Sequence, residues 1–206
     1  MIYLIGAGGH CGVVLDALVE SGEAVSDIRI RDGRADMAGG ALLGAPIETP
    51  EVTPVLSGHA FHVAIGSATA RERLHGEALA AGATPLTVRH PGATVSSFAG
   101  VGAGSFLAAG AIVGPSARLG AGVIVNHGAV VDHDCMVGDF SHIAPNASLG
   151  GGVRIGARCL IGAGAVVLPG VVLGDDVIIG AGAAVARDVG PNQTWIGVPA
   201  APKASL

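Results

Sequence analysis

From Val95 to Val185 an aliphatic residue recurs at every sixth position without a slip, through Val101, Leu107 and Val113 to Leu173 and Ile179. Two places before each of them stands Ala, Ser, Cys or Val, as at Ala129, Cys135 and Ser141. The position after the aliphatic is Gly at nine of the sixteen sites, with Asn126 and Asp132 at two others. Gly, Asn and Asp enter left-handed backbone most easily, so this position is expected to form the corner. A short flat strand plus a corner every six residues is the hexapeptide repeat of a parallel β-helix. Three hexads close one triangular coil of about 18 residues, and coils stack at roughly 4.8 Å, the spacing of hydrogen-bonded strands. The repeat therefore predicts five coils and a fraction around an interior ladder of Val, Leu and Ile.

Upstream the pattern changes. Ile2 to Ile5 reads as a buried strand running into Gly6-Ala7-Gly8-Gly9-His10-Cys11-Gly12, and Val13 to Glu20 as a helix ending near Gly22. A second strand at Ile28 to Ile30 ends at Arg31-Asp32, and a third runs from Phe61 to Ile65 into Gly66-Ser67. Between them lies a loop-rich stretch with a short strand at Leu42-Leu43; an amphipathic helix follows from Ala68 to Ala81. Residues 1–85 thus read as an α/β, Rossmann-like βαβ domain, and residues 86–206 as the β-helix with a C-terminal cap around Trp195. Strand, glycine loop and helix together set backbone N–H groups against a phosphate. Cys11 stands where a dinucleotide fingerprint needs its third Gly, which argues against a dehydrogenase. Asp32 is placed either to contact a nucleotide's sugar or base, or as a solvated loop charge.

Composition narrows the function. Aromatic content of 3% and 35 glycines suit a narrow prism filled by small side chains. A net charge of −5 without any Lys/Arg cluster excludes a nucleic-acid partner. Mean hydropathy is +0.61, yet the uncharged run after His90 is broken throughout by Gly, Ser and Pro, so no membrane span is expected. No positive region precedes an apolar segment at the N-terminus, so no signal peptide is expected and the cytoplasm is the default compartment. Cys11, Cys135 and Cys159 fit no disulfide framework.

Three consecutive hexads, Val125 to His142, break the bland pattern with three His and three Asp. His133 lies between Asp132 and Asp134, and either carboxylate could fix its tautomer and raise its basicity, as a general base near neutral pH requires. Faces recur every 18 residues, so His133 and His142, nine apart, project from opposite sides of the prism. If both serve one site, two subunits must meet, and a triangular prism suits a three-fold ring. Gly151 lies one coil beyond His133 and leaves a groove beside it. His127 and His133 fall on adjacent faces, so no metal site is expected. His59, His62 and His75 show no ligand spacing and read as structural or surface histidines. Cys135 and Cys159 fall at the small inward position, which argues against an acyl-enzyme.

The segments at 6–12, Val-Asp-His-Asp-Cys at 131–135, Phe-Ser-His-Ile-Ala-Pro at 140–145 and Gly-Val-Pro-Ala at 197–200 together resemble the bacterial hexapeptide-repeat sugar acetyltransferases of the sialic-acid O-acetyltransferase (NeuD/PglD-like) family, in particular its nucleotide-aminosugar N-acetyltransferase branch. The resemblance covers essentially the whole chain. It implies a left-handed coil, a homotrimer with inter-subunit active sites, acetyl-CoA as donor, and a nucleotide-linked 4-amino-4,6-dideoxy sugar as acceptor. It further implies His133 as general base with Asp134 tuning it, and His142 of a neighbouring subunit near the thioester. Gly8, Gly9, His10, Asp32 and Gly66 then contact the sugar nucleotide, Asn126 faces the active site, and Gly151, Ala163 and Ala181 border CoA. Ser67-Ala68 and Ala201-Pro202 depart from members that carry Asn and Lys-Arg there. Direct transfer is expected, with a backbone N–H or His142 stabilising the oxyanion. O-acetylation of a sialic acid is the alternative, and a non-catalytic nucleotide-sugar scaffold or sensor is the alternative of another class.

Overall fold

The computed structural model describes residues 1–203. Its first sheet contains β1 (Ile2–Ile5), β2 (Ile28–Arg31), β3 (Ala41–Leu42), β4 (Ala45–Glu48), β5 (Ala60–Val63) and β6 (Thr84–Pro85), in the order β3-β4-β2-β1-β5-β6. All neighbours are parallel except β3 with β4. Two helices, α1 (Gly9–Glu20) and α2 (Ala68–Ala80), supply the crossovers. Helix α1 starts four residues before the expected Val13, because Cys11 is already a fully buried helical position beside Val14, Leu15 and Leu18. Strand β4 escaped the sequence reading because Pro46 interrupts it, and β6 because it is two residues long. Among the described residues no helix is long and apolar enough to cross a membrane.

From Val88 onward two-residue strands alternate among three parallel sheets. The first face carries strands such as Phe106–Leu107, Ile124–Val125 and His142–Ile143; the second Ile112–Val113 and Val130–Val131; the third Arg118–Leu119 and Met136–Val137. Register advances by 18 residues, as in Ile124 against His142 and Val130 against Ser148. Inter-coil bonds are short: Ile112 N–H donates to Ala129 O at 2.9 Å, and Val166 N–H to Ala183 O at 2.8 Å. The periodic aliphatics and the small residues two places earlier form one continuous interior cluster, closed at the last coil by Trp195 and Ala200. Each fully buried Val, Leu or Ile contributes roughly 1.5–3 kcal/mol.

The corner is not where the sequence reading put it. Positive φ falls at every sixth residue from Gly104 to Gly182, three places after the aliphatic and not one. Ser116, Asp134, Phe140, Asn146, Arg158 and Asp176 all adopt it. The glycines directly after the aliphatic answer to crowding instead: a Cβ on Gly102 would sit 2.3 Å from Gly120 C, and one on Gly138 2.5 Å from Gly156 C. Stacking coils through these positions leaves no room for a side chain.

The two parts of the chain share a core. Outward residues Val88, Phe106 and Ile124 of the first face are buried against Cys11, Val14, Leu15 and Leu18 of α1. Beyond His142 this cover ends, and the next outward residues on the face, Leu160 and Ile178, are exposed. Helix α2 docks on the corner between the third and first faces. A Cβ on Gly104 would lie 2.7 Å from the His75 ring, and Phe140 packs on His75 at 5.5 Å.

The two glycine roles predict different penalties, measurable by chemical denaturation. Gly164→Ala, at φ +67 with open space around it, should cost only about 1–2 kcal/mol. Gly138→Ala, which drives a methyl into the next coil's backbone, should cost more; equal or reversed losses would contradict the crowding account.

Candidate active site

Five of the sequence-predicted residues meet in one cleft. Gly8, Gly9, His10, Asp32 and Gly66 all line a recess of about 410 Å³ over the carboxyl ends of β1, β2 and β5. A second recess of about 240 Å³, bordered by Gly33, Arg34, Glu51 and Arg73, adjoins it. Gly8 caps α1 without a side chain, so the first N–H groups of the helix open on the cleft. Helix α2 begins just past the opposite lip, after Gly66-Ser67. Two positive helix ends beside one recess favour an anion such as a diphosphate.

Asp32 is not the solvated loop charge that is one expectation for it. It is buried, its Oδ2 accepts from Ala7 N–H at 2.7 Å, and its Oδ1 accepts from Arg34 N–H and Nε, both at 2.9 Å. The Arg34 side-chain bonds, with backbone donors helping against desolvation, hold its carboxyl down at about 2. Both oxygens are thus engaged, and Asp32 ties the glycine loop to the end of β2.

Behind His10 lies a polar cluster that spacing did not reveal. Asn126 Oδ1 accepts from His127 N–H at 2.9 Å, which orients the amide so that Nδ2 donates to His142 Nε2 at 3.1 Å. The His142 proton therefore sits on Nδ1. The His142 ring lies 6.4 Å from that of His10, which packs edge-on to Phe106 at 5.4 Å. Burial first, then the Arg71 charge, holds both imidazoles down at about 4. Among the described residues, His10 Nε2 is buried without a hydrogen-bond partner. Near neutral pH both imidazoles are uncharged, and His10 lines the cleft with His142 and Asn126 behind it.

His133 stands elsewhere, exposed on the corner between the second and third faces. Its Nδ1 bonds Asp134 Oδ2 at 2.8 Å, while Asp132 Oδ1 accepts from the His133 N–H at 2.7 Å. The Asp134 bond, followed by the Asp132 charge, raises the imidazole above its ordinary value. Asp134 thus orients the ring and Asp132 the backbone; the left-handed φ of +59 at Asp134 folds its carboxylate back. The far edge of the ring lies over Gly151, where a Cβ would come within 2.5 Å of Nε2 and Cε1. A triangular prism sets this corner opposite the first face, so a single chain does not bring His133 to the cleft or to His142.

Ala163 and Ala181 stack one coil apart on the exposed corner between the first and second faces, where the Ala163 carbonyl accepts from Gly182 N–H at 2.9 Å. Cys135 and Cys159 are buried, and desolvation raises their thiols. Among the described residues no group of three His, Cys, Asp or Glu side chains could hold a metal ion. Arg71, a charged residue on the helix that the sequence reads as amphipathic, is almost fully buried. The only sequence trace of its role is its i−3 spacing from the buried Leu74.

Comparison with known proteins accords with this layout. The PglD N-terminal domain family matches residues 1–78, and the bacterial transferase hexapeptide (six repeats) family matches residues 134–168 and 152–187. A histidine-to-asparagine variant of perosamine N-acetyltransferase from Caulobacter crescentus, solved with CoA and GDP-perosamine, is 37% identical over 99% of this chain and 97% of its own, with a TM-score of 0.93. The acetyltransferase domain of PglB from Neisseria gonorrhoeae, solved with acetyl coenzyme A, is 36% identical over 98% of each chain, with a TM-score of 0.91. GDP-perosamine N-acetyltransferase of Escherichia coli is 33% identical over 85 residues, which are 41% of this chain and 38% of that protein.

Because the Asp32 carboxyl is held low, its stabilisation is complete above the ordinary carboxylate value and fades as pH falls toward about 2. Asp32→Asn should lower unfolding free energy near pH 7 by about 1–3 kcal/mol and flatten the acid limb of the stability curve. An unchanged acid limb would contradict the clamp.

Proposed function

Because the chain belongs to the hexapeptide-repeat sugar acetyltransferases that carry a PglD-type N-terminal domain, we propose that it transfers the acetyl group of acetyl-CoA to the amine of a nucleotide-linked amino sugar. The favoured acceptor is a GDP-linked 4-amino-4,6-dideoxy sugar, after the GDP-perosamine bound by the Caulobacter relative. Residues 1–85 hold the nucleotide, and the solenoid carries the transfer. The reaction belongs to bacterial glycan biosynthesis and runs in the cytoplasm, where both substrates are made. The observation that carries this reading is His133, exposed, with Nδ1 engaged by Asp134 and its Nε2 edge lying over Gly151.

The chain acts as a homotrimer, and each site joins His133 of one subunit to the cleft and the His142 face of the next. The prism, which holds the two apart within one chain, supports this reading. Asp134 accepts from Nδ1–H and leaves Nε2 as the proton acceptor. Nε2 takes the proton as the acceptor nitrogen attacks the thioester carbonyl; the C–N bond forms, the C–S bond breaks, and the proton passes on to the departing sulfur. His142, neutral and protonated on Nδ1, can donate to the developing oxyanion. The CoA arm borders Gly151 beside His133 of one subunit and the small residues Ala163 and Ala181 on the first-to-second-face corner of an adjoining subunit.

Purified protein supplied with acetyl-CoA and GDP-, UDP- and dTDP-aminosugars, plus free sialic acid, should release thiol with a GDP-linked aminosugar. His133→Ala should lower kcat by about 10²–10⁴ while CoA still binds. Turnover with sialic acid alone would move the chain to O-acetylation, and binding without turnover would make it a sensor.

The base must be neutral to act, so kcat/KM should rise with pH through the elevated His133 value and then level off. Asp134→Asn removes the largest cause of that elevation and should shift the rising limb to lower pH; a limb that stays in place would contradict the pairing.

A further inference from the structure

Helix α2 buries an arginine where a helix docking on a β-solenoid needs only an apolar residue. Arg71 is 1% exposed, and among the described residues no carboxylate lies within ion-pair distance of it. Its charge is met by carbonyls alone. Nη1 donates to Ile65 O and Gly66 O, both at 2.9 Å; Nε donates to Gly122 O at 2.8 Å; Nη2 donates to Phe140 O. The first two belong to the lip of the cleft. The other two are successive left-handed corner residues of the solenoid, one coil apart, with Phe140 two residues before His142.

A guanidinium buried without a counter-ion opposes folding unless its donors are satisfied, and an apolar residue of similar volume often does as well for stability. Its planar fork of donors does what an apolar side chain cannot: it joins two loops from different parts of the chain at fixed separation. It also draws the Ile65 and Gly66 carbonyls inward, so that they do not confront an anion in the cleft.

We infer that Arg71 is a positioning residue that sets the distance from the Gly66 lip, where the sugar nucleotide is held, to the coil carrying Asn126 and His142, where its amine must arrive. The inference rests on the proposed acetyl transfer for its kinetic consequences but not for its structural ones. Arg71 touches neither substrate. It acts through Gly66 on one side and through the Phe140–His142 segment on the other, and a misplacement of about 1 Å in such a link can lower rates by roughly 10²-fold.

The test compares Arg71→Lys, Arg71→Met and His75→Leu, the last removing another α2 docking residue that does not contact the Gly66 lip. In Arg71→Lys, kcat with the GDP-linked aminosugar should fall by roughly 10²-fold and its KM should rise, while KM for acetyl-CoA stays within twofold. His75→Leu should lower the melting temperature and leave both KM values in place. A merely structural arginine would instead give Arg71→Lys the His75→Leu pattern, and that result would overturn the inference.

A readout independent of turnover follows the His10 and His142 imidazoles by NMR. The charged and titratable groups facing these two rings are Arg71, His127, His62 and each other. Folded Arg71→Met should raise both titrations from about 4, and Arg71→Lys should raise them less. If Arg71→Met does not fold, GDP affinity measured by calorimetry on Arg71→Lys decides, with a clear loss expected. If the wild-type protein acetylates no nucleotide sugar, the acetyl-transfer reading fails. The positioning role would then stand or fall on the GDP affinity of Arg71→Lys, and an unchanged affinity would refute it.

Discussion

The structure depends on the hydrogen bonds that tie each coil to the next at a register of 18 residues. That register, kept without a slip, turns a linear spacing into a spatial one: residues 18 apart stack and residues nine apart face away from each other. It puts Gly151 against the His133 ring and seats Asn126 beside His142 on the first face. The short strands would be worthless singly, since two residues of strand bury little. Stacking lets the aliphatics fill one interior and the strand N–H groups find carbonyl partners in the neighbouring coil, while several corner N–H groups close within their own turn.

The N-terminal domain uses that regularity as a platform. Its first helix covers Val88, Phe106 and Ile124, and its second sits across the corner formed by Gly104, Gly122 and Phe140. The cover ends at His142, so the cleft opens where the bare solenoid begins. Arg71 belongs to this junction, spending a buried charge to hold two loops at one distance. His133 at the opposite corner is exposed and raised in basicity, whereas the imidazoles at the junction are buried and kept neutral. Two environments thus give the same side chain opposite protonation behaviour.

Much of this was legible in the sequence because a six-residue period is a strong signal. The coil count, the inward cysteines and the His133–Gly151 juxtaposition all follow from counting. The corner residue did not, because glycine has two uses here: a left-handed φ at positions such as Gly122, and close coil packing at positions such as Gly138. Composition at one position cannot separate the two. Asp32 was recognised as special, yet its partners Ala7 N–H and Arg34 come from loop geometry that no pattern encodes. The Asn126–His142 pair is 16 residues apart, short of a full coil, and escaped a reading tuned to 18. Arg71 was hidden most completely, since a charged residue on an amphipathic helix is ordinarily solvated.

The proposed mechanism turns on the prism's separating His133 from the cleft, so that acetyl transfer would need two copies of the chain. The most direct measurement co-expresses two inactive variants, His133→Ala and His142→Ala, and assays the mixed oligomers. Sites formed between subunits should recover up to about a quarter of wild-type activity at equal mixing, the fraction in which both intact residues meet. Mixed oligomers as inactive as either variant alone would mean that both histidines serve from one chain, and would contradict the account.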